Sequence, residues 1–135
     1  MIQEKYVSFD TAKLLKEKGF NEKCWGLYAS IFDDEDNPIT VLERWVGSAH
    51  NNSFEDESFI CSAPTQQMAM RWLREVHHLN IEPYFEYYLL GYSAEIKYTN
   101  KDTPLYLFEY LREKWFNTYE EACEEAIKYS LEHLI

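Results

Sequence analysis

The stretch over residues 64–79, PTQQMAMRWLREVHHL, limits what this chain can fold into more than any other. Its apolar residues recur at the i, i+3, i+4 and i+7 spacing of a helix with one buried stripe. The predicted buried side contains Thr65, Met68, Ala69, Trp72, Leu73, Val76 and Leu79, and the opposite side contains Gln67, Arg71, Arg74, Glu75 and His78. Such a helix persists in water only when a sheet or other helices cover its apolar stripe. We therefore expect the rest of the chain to pack against this helix, which starts after Pro64 with Thr65 as its N-cap.

A second helix is predicted over residues 7–20. Ser8 can accept a hydrogen bond from the amides of the first turn. Gly19 suits the left-handed position that follows the last turn, from which Phe20 folds back onto Leu15 as in a Schellman motif.

A third helix is predicted at the C-terminus, where Thr118 and Glu121 have the spacing of a capping box. Its predicted buried face contains Tyr119, Ala122, Cys123, Ala126, Ile127, Ser130 and Leu134. The exposed face contains Glu121, Glu124, Glu125, Lys128 and Glu132. Glu124 and Lys128 have the spacing and orientation of a helical ion pair.

Aromatic and β-branched segments between the helices predict strands. Residues 24–32 and 39–46 form a predicted hairpin around an acidic turn at 33–38, and residues 81–90 and 92–99 form a second pair that turns near Gly91. The remaining predictions are a surface loop at 47–58, a lead into the central helix at 59–62, and a helix or a third strand at 105–116, of which we favour the strand. The predicted fold class is α+β, with a small antiparallel sheet packed against about three helices in a single domain, residues 1–135.

The acidic turn does not have the pattern of a calcium loop. An EF-hand needs Gly at its sixth position and a carboxylate at its twelfth, and counting from Asp33 these places hold Pro38 and Arg44. We predict no metal site and no cofactor, since no other group of residues has ligand spacing either.

The formal net charge of −11 argues against direct binding to a nucleic-acid backbone, because each phosphate contact needs a Lys or Arg. The same charge suits a protein that imitates nucleic acid towards a basic partner, with acidic runs at 33–36 and 55–57. Solubility is the simpler interpretation.

The cysteines Cys24, Cys61 and Cys123 are odd in number and far apart in sequence. They predict neither a disulfide framework nor a zinc site, but reduced thiols in the cytoplasm. The sequence has no secretory signal and no apolar stretch of membrane-spanning length, so we expect a cytoplasmic protein without a membrane partner.

One basic surface is predicted on the central helix, where Arg71, Arg74 and His78 share the polar face. With an aromatic neighbour such as Trp45 or Trp72, these side chains would form a clamp for a flat anionic ligand, because guanidinium groups bind phosphate in a forked geometry. The alternative is that both arginines pair with local carboxylates.

A second binding surface is predicted from the aromatic content of 17%, which includes 11 Tyr. Side chains alternate between the two faces of a strand, so Tyr84 and Tyr88 are expected on one face and Phe85 and Tyr87 on the other. Only one set can pack on the central helix. The other is covered by the C-terminal helix or forms a Tyr-rich contact for a homodimer or another partner.

Three blocks, VSFDTAKLLKEKGF, SAPTQQMAMRWLREVHHLNI and NTYEEACEEAIKYSLEHLI, resemble a family of short uncharacterised proteins from gut Bacteroidetes, their phages and their mobile elements. The resemblance implies an intracellular accessory protein that acts during phage infection. It implies no activity, cofactor or site residue.

The leading functional prediction is a non-enzymatic protein that binds a host protein or a small molecule through its aromatic β region. One alternative is the acidic nucleic-acid mimic. The other is a small enzyme with Cys61 as nucleophile and His50 as base, for which the sequence offers no third, orienting group.

Overall fold

A computed structural model describes residues 2–51, 58–101 and 115–135, and these residues contain three helices and five strands. The elements are α1 (Phe9–Glu17), β1 (Cys24–Phe32), β2 (Pro38–Ala49), β3 (Phe59–Ala63), α2 (Gln66–His77), β4 (Leu79–Glu86), β5 (Gly91–Tyr98) and α3 (Tyr119–His133). The α+β class is confirmed. The antiparallel strands are divided between a three-stranded sheet in the order β2-β1-β3 and a two-stranded sheet of β4 and β5.

The chain divides into two compact units, Met1–Thr65 and Gln66–Ile135. The single domain over residues 1–135 stays a prediction. Within the described ranges, no helix is both long enough and apolar enough to cross a membrane.

In the first unit, α1 has the predicted ends. The Ser8 side chain accepts a hydrogen bond from the Thr11 amide at 3.3 Å. After the last turn Gly19 adopts a φ of 94°. Its amide donates to the Lys16 carbonyl at 3.1 Å, and the Phe20 amide donates to the Leu15 carbonyl at 2.9 Å. These two bonds are the pair that defines a Schellman motif, so that prediction is confirmed.

The β1–β2 hairpin is also confirmed, with the acidic turn between its strands. Asp33 Oδ1 accepts hydrogen bonds from the amides of Glu35 and Asn37, both at 2.9 Å. A carboxylate that bonds its own backbone in this way stabilises a tight turn without a metal ion.

Two predictions in the first unit were wrong. Residues 47–49 belong to β2, not to a loop, and residues 59–63 form the strand β3, which pairs with β1. The buried Asn51 fixes the edge of β3. Its Nδ2 donates to the Phe20 carbonyl at 2.6 Å and its Oδ1 accepts from the Ser62 amide at 2.8 Å. β3 was missed because its five residues, FICSA, do not alternate between buried and exposed positions.

In the second unit, α2 and α3 pack against the β4–β5 hairpin and against each other. The inner side of this hairpin is buried and consists of Leu79, Ile81, Ala94 and Ile96. The helix α3 begins as predicted, because the Thr118 hydroxyl accepts from the Glu121 amide at 3.1 Å. Leu131 joins its buried face, whereas Tyr119 lies at the exposed edge.

The predicted buried stripe of α2 was partly wrong. Met68 and Val76 are exposed, while Met70 and Gln66 are buried beside Ala69, Trp72 and Leu73. The stripe is turned because Gln66 points towards α3. Its Nε2 donates to the Glu120 carbonyl at 2.9 Å and to Glu124 Oε2 at 3.1 Å.

On the exposed face of α3, Lys128 Nζ lies 3.9 Å from Glu132 Oε1.

The strand predicted at residues 81–90 was also wrong at its end. β4 stops at Glu86, which pairs with Gly91, and residues 87–90 form the turn. Tyr87 and Tyr88 are therefore turn residues, and strand alternation does not decide where they point. The segment 105–116 lies outside the described residues except for its last two. Of these, Phe116 exchanges backbone hydrogen bonds with Tyr92 at 2.8 and 2.9 Å.

The packing around Gly26 generates a prediction about the first unit. A Cβ at this position would lie 2.6 Å from the Ala63 carbonyl oxygen and 2.6 Å from the Tyr6 ring. Because the carbonyl is backbone of the neighbouring strand, it cannot move aside as a side chain could. Gly26→Ala should lower the free energy of unfolding by about 2 kcal/mol in urea denaturation. Ser30→Ala, on the same face of β1, is the control and should change it by less than about 0.5 kcal/mol. Equal effects would contradict the proposed packing.

Candidate functional site

The turn of the β4–β5 hairpin presents a continuous run of large apolar side chains to solvent. We define the hairpin tip as Phe85 together with residues 87–90, Tyr-Tyr-Leu-Leu. The exposed fraction is 74% for Tyr87, 90% for Tyr88 and 73% for Leu90. Single exposed apolar residues are common on proteins, but a contiguous group is typical of a contact surface.

The tip is connected to its scaffold by a series of edge-to-face ring contacts. The Phe85 ring lies 5.1 Å from that of Tyr92, and Tyr92 lies 6.3 Å from Tyr119 at the start of α3. The rings of Tyr87 and Tyr88 meet at 5.9 Å and 79°. Such pairs add to the stability that burial alone provides, so they hold the base of the tip to the helix.

The two tyrosines predicted to share a strand face, Tyr84 and Tyr88, lie in different surroundings. Tyr84 is half-buried in β4, and its ring meets the edge of Trp115 at 6.3 Å. Tyr88 is in the turn and is almost wholly exposed. Partial cover over Tyr84 therefore comes from Trp115.

Leu90 has a backbone conformation that its residue type disfavours. Its φ is 49°, in the left-handed region where a bulky side chain is rare and costs about 1–2 kcal/mol. Packing does not explain the choice of Leu, since this side chain is mostly in solvent. A strained residue that keeps an exposed apolar side chain makes the turn a candidate for function.

One acidic side chain, that of Glu86, adjoins the turn. Glu86 Oε1 accepts from the Tyr88 amide at 3.4 Å. Further along the hairpin, Lys97 Nζ lies 3.1 Å from Glu95 and 3.5 Å from Glu82. The hydrogen bond to Glu95 and the charges of both carboxylates raise the pKa of Lys97.

Of the basic surface predicted on α2, Arg71 has a local carboxylate as its partner. Arg71 Nε donates to Glu75 Oε1 at 2.9 Å. This local ion pair is the alternative to a ligand clamp that the sequence analysis named. Arg74 is exposed. His78 ends the helix with a φ of 58°, and its carbonyl accepts from the Thr99 amide at 2.8 Å.

Neither aromatic partner is shown beside this basic surface. Trp72 is buried and its ring lies 4.7 Å from that of His77. Trp45 belongs to β2, and its side chain lies outside the described residues. The clamp stays a prediction.

The three cysteines are buried free thiols. Burial raises the pKa of Cys61 to about 11, although Lys16 and Lys13 act in the opposite direction. Burial likewise raises the pKa of Cys24 and of Cys123 to about 11. These thiols hold their protons at neutral pH, whereas a catalytic cysteine needs its thiolate. No group of three or more metal-binding side chains occurs in the ranges 2–51, 58–101 and 115–135.

No family model, curated protein or solved structure matches the chain. The resemblance to short proteins of gut Bacteroidetes and their phages therefore stays a prediction.

The buried thiols generate a prediction about reactivity. At pH 8, a pKa of about 11 in place of 9.0 leaves Cys61 with roughly a hundredfold less thiolate than an ordinary cysteine. The native protein should therefore react slowly with Ellman's reagent, and all three thiols should react at once in denaturing urea. Because the folded pKa lies above the unfolded one, the stability that the protonated thiols contribute is present below about pH 9 and is lost as the pH rises through about 11.

Mass spectrometry of the labelled protein identifies the reacting residue. Rapid, selective labelling of Cys61 in the native protein would contradict this reading and support the small enzyme.

Proposed function

We propose that the protein is a non-enzymatic binding module that recognises a partner protein through the hairpin tip. The observation that supports the proposal most directly is the exposure of four consecutive large apolar residues, one of them strained. Burying one Leu side chain stabilises a protein by about 2 kcal/mol. A fold that leaves Leu89 and Leu90 in water forgoes that stabilisation. Contact with a partner would recover it.

The composition of the tip suits recognition. Tyr side chains provide a large contact area with few rotatable bonds, so little conformational entropy is lost when they are fixed. The most important residues of protein interfaces are often Tyr, and they insert into pockets on the partner. A convex turn with two Tyr and two Leu side chains therefore fits a concave apolar surface. Following the resemblance, the partner would be a host protein of a gut bacterium, and this chain an accessory protein of a phage or mobile element.

Substitutions within the tip should separate binding from folding. Leu90→Asn should reduce capture of the partner at least about tenfold, because it removes an apolar anchor. It should also raise the free energy of unfolding by about 1 kcal/mol, since Asn adopts a positive φ more easily than Leu. The measurements are urea denaturation and quantitative mass spectrometry of the proteins that the immobilised chain retains from a bacterial lysate.

Two variants serve as controls. Leu89→Asn removes an equally apolar residue without a positive φ, so it should weaken capture and leave the stability unchanged. Phe32→Ser removes an exposed aromatic residue of the first unit and should change neither the capture of partner proteins nor the free energy of unfolding. If Leu90→Asn unfolds the protein, or if all three variants retain the same proteins, the tip is not the binding surface.

A further inference from the structure

The charges around the hairpin tip identify the kind of partner that fits it. We infer that the tip binds a basic protein surface, namely an apolar depression bordered by Arg or Lys side chains. This inference depends on the proposed function and adds the chemistry of the partner. It is carried by the combination of an uncharged apolar turn, the Glu86 carboxylate at its base and the net negative charge of the hairpin.

The charged side chains of the hairpin are predominantly acidic. Between Leu79 and Tyr98 they are Glu82, Glu86, Glu95 and Lys97, which give a net charge of −2. Lys97 pairs with Asn80, farther from the turn than the Glu82–Glu95 pair, and its Nζ lies 3.5 Å from Glu82 and 3.1 Å from Glu95, so it partly neutralises these two carboxylates. Glu86 is the charged residue next to the turn, and residues 87–90 carry no charge. The hairpin therefore presents an apolar end with a negative base.

Cationic side chains can contact both parts of this surface. Glu86 is a carboxylate, which accepts several hydrogen bonds, and a guanidinium group can occupy it in addition to the Tyr88 amide. The neighbouring rings of Tyr87 and Tyr88 stand nearly perpendicular and are exposed, and an Arg or Lys can lie over such a ring. Leu89 and Leu90 then enter the apolar depression between these cations.

Other occupants of the tip are disfavoured by the same charges. A second copy would bring two acidic hairpins together, each on a chain with a net charge of −11. An anionic bilayer would repel the chain in the same way. A basic protein surface gains from both the apolar and the electrostatic contact.

Fluorescence anisotropy with three labelled peptides tests the inference. The peptides share the same Leu and Phe residues and carry Arg, Ser or Glu between them. We expect the Arg peptide to bind at least about tenfold more tightly than the Ser peptide at about 50 mM NaCl, and this preference to disappear at about 500 mM NaCl. Leu90→Ser should weaken binding of the Arg peptide about tenfold, because binding needs the apolar end as well as the charges.

Two charge variants separate the hairpin from the overall charge of the chain. Glu82→Gln/Glu86→Gln/Glu95→Gln removes three charges from the hairpin, and Asp34→Asn/Glu35→Gln/Asp36→Asn removes three from the exposed turn of the first unit. Only the first should weaken binding of the Arg peptide, by about tenfold. Equal losses would show a general attraction to an acidic protein and would overturn the inference, as would tight binding of the Ser peptide or no binding at all.

The other occupants are tested directly. A dimer in sedimentation velocity, or binding to phosphatidylcholine vesicles, that Leu90→Ser abolishes would also overturn the inference. If the tip variants lose their lysate partners while the peptides show no charge preference, the proposed function stands and the basic partner is wrong. If neither the capture of lysate proteins nor the binding of the peptides depends on the tip, both proposals fail.

Discussion

Burial of one side of the β4–β5 hairpin is the interaction on which the second unit depends. An isolated two-stranded hairpin is marginally stable in water, so it needs a covering layer. Here α2 and α3 supply that layer over Leu79, Ile81, Ala94 and Ile96. The two helices are joined near their N-terminal ends by the hydrogen bonds of the buried Gln66 to Glu120 and Glu124. Since a buried amide that lost these partners would be costly, Gln66 also fixes how α2 is rotated about its axis.

The same arrangement explains why the tip is exposed. Inward-facing residues are covered near Leu79 and Ile96, but the cover decreases towards Phe85, which is about half exposed. Beyond Glu86 the chain turns through four apolar residues, where a hairpin turn ordinarily uses Gly, Asn or Asp. The positive φ of Leu90 disfavours a bulky side chain, and packing does not compensate because the side chain is mostly in solvent. Recognition of a partner, as proposed above, would be a physical reason to have it there.

Much of the fold follows from local signals in the sequence. The ends of α1 and the start of α3 were predictable, because Ser8, Gly19 and Thr118 act through hydrogen bonds to residues that are near in the chain. The bounds of β1 were predictable from its aromatic and apolar run, Cys24–Phe32. What failed depends on tertiary contacts. Met70 is buried instead of Met68 because Gln66 bonds to a helix some fifty residues away.

The candidate site was predictable only in part. Its aromatic content was visible in the sequence, and so was the turn near Gly91. The position of the turn was not, because residues 87–90 contain no turn-forming residue and continue the apolar pattern of the strand. The unusual φ of Leu90 has no signature in the sequence either. As a result Tyr88 was expected beside Tyr84, and Leu89 and Leu90 were not recognised as part of a surface.

Amide hydrogen exchange of the unmodified protein, resolved residue by residue with NMR, tests most directly whether a stable hairpin holds an exposed apolar tip. The ladder amides between Leu79–Glu86 and Gly91–Tyr98 should exchange only through opening events whose free energy approaches that of global unfolding. The amides of residues 87–90 should exchange within about tenfold of the rate of an unstructured peptide. Protection of residues 87–90 equal to that of the strands would contradict the account, because it would show that the tip is packed within the protein and is not a surface for a partner.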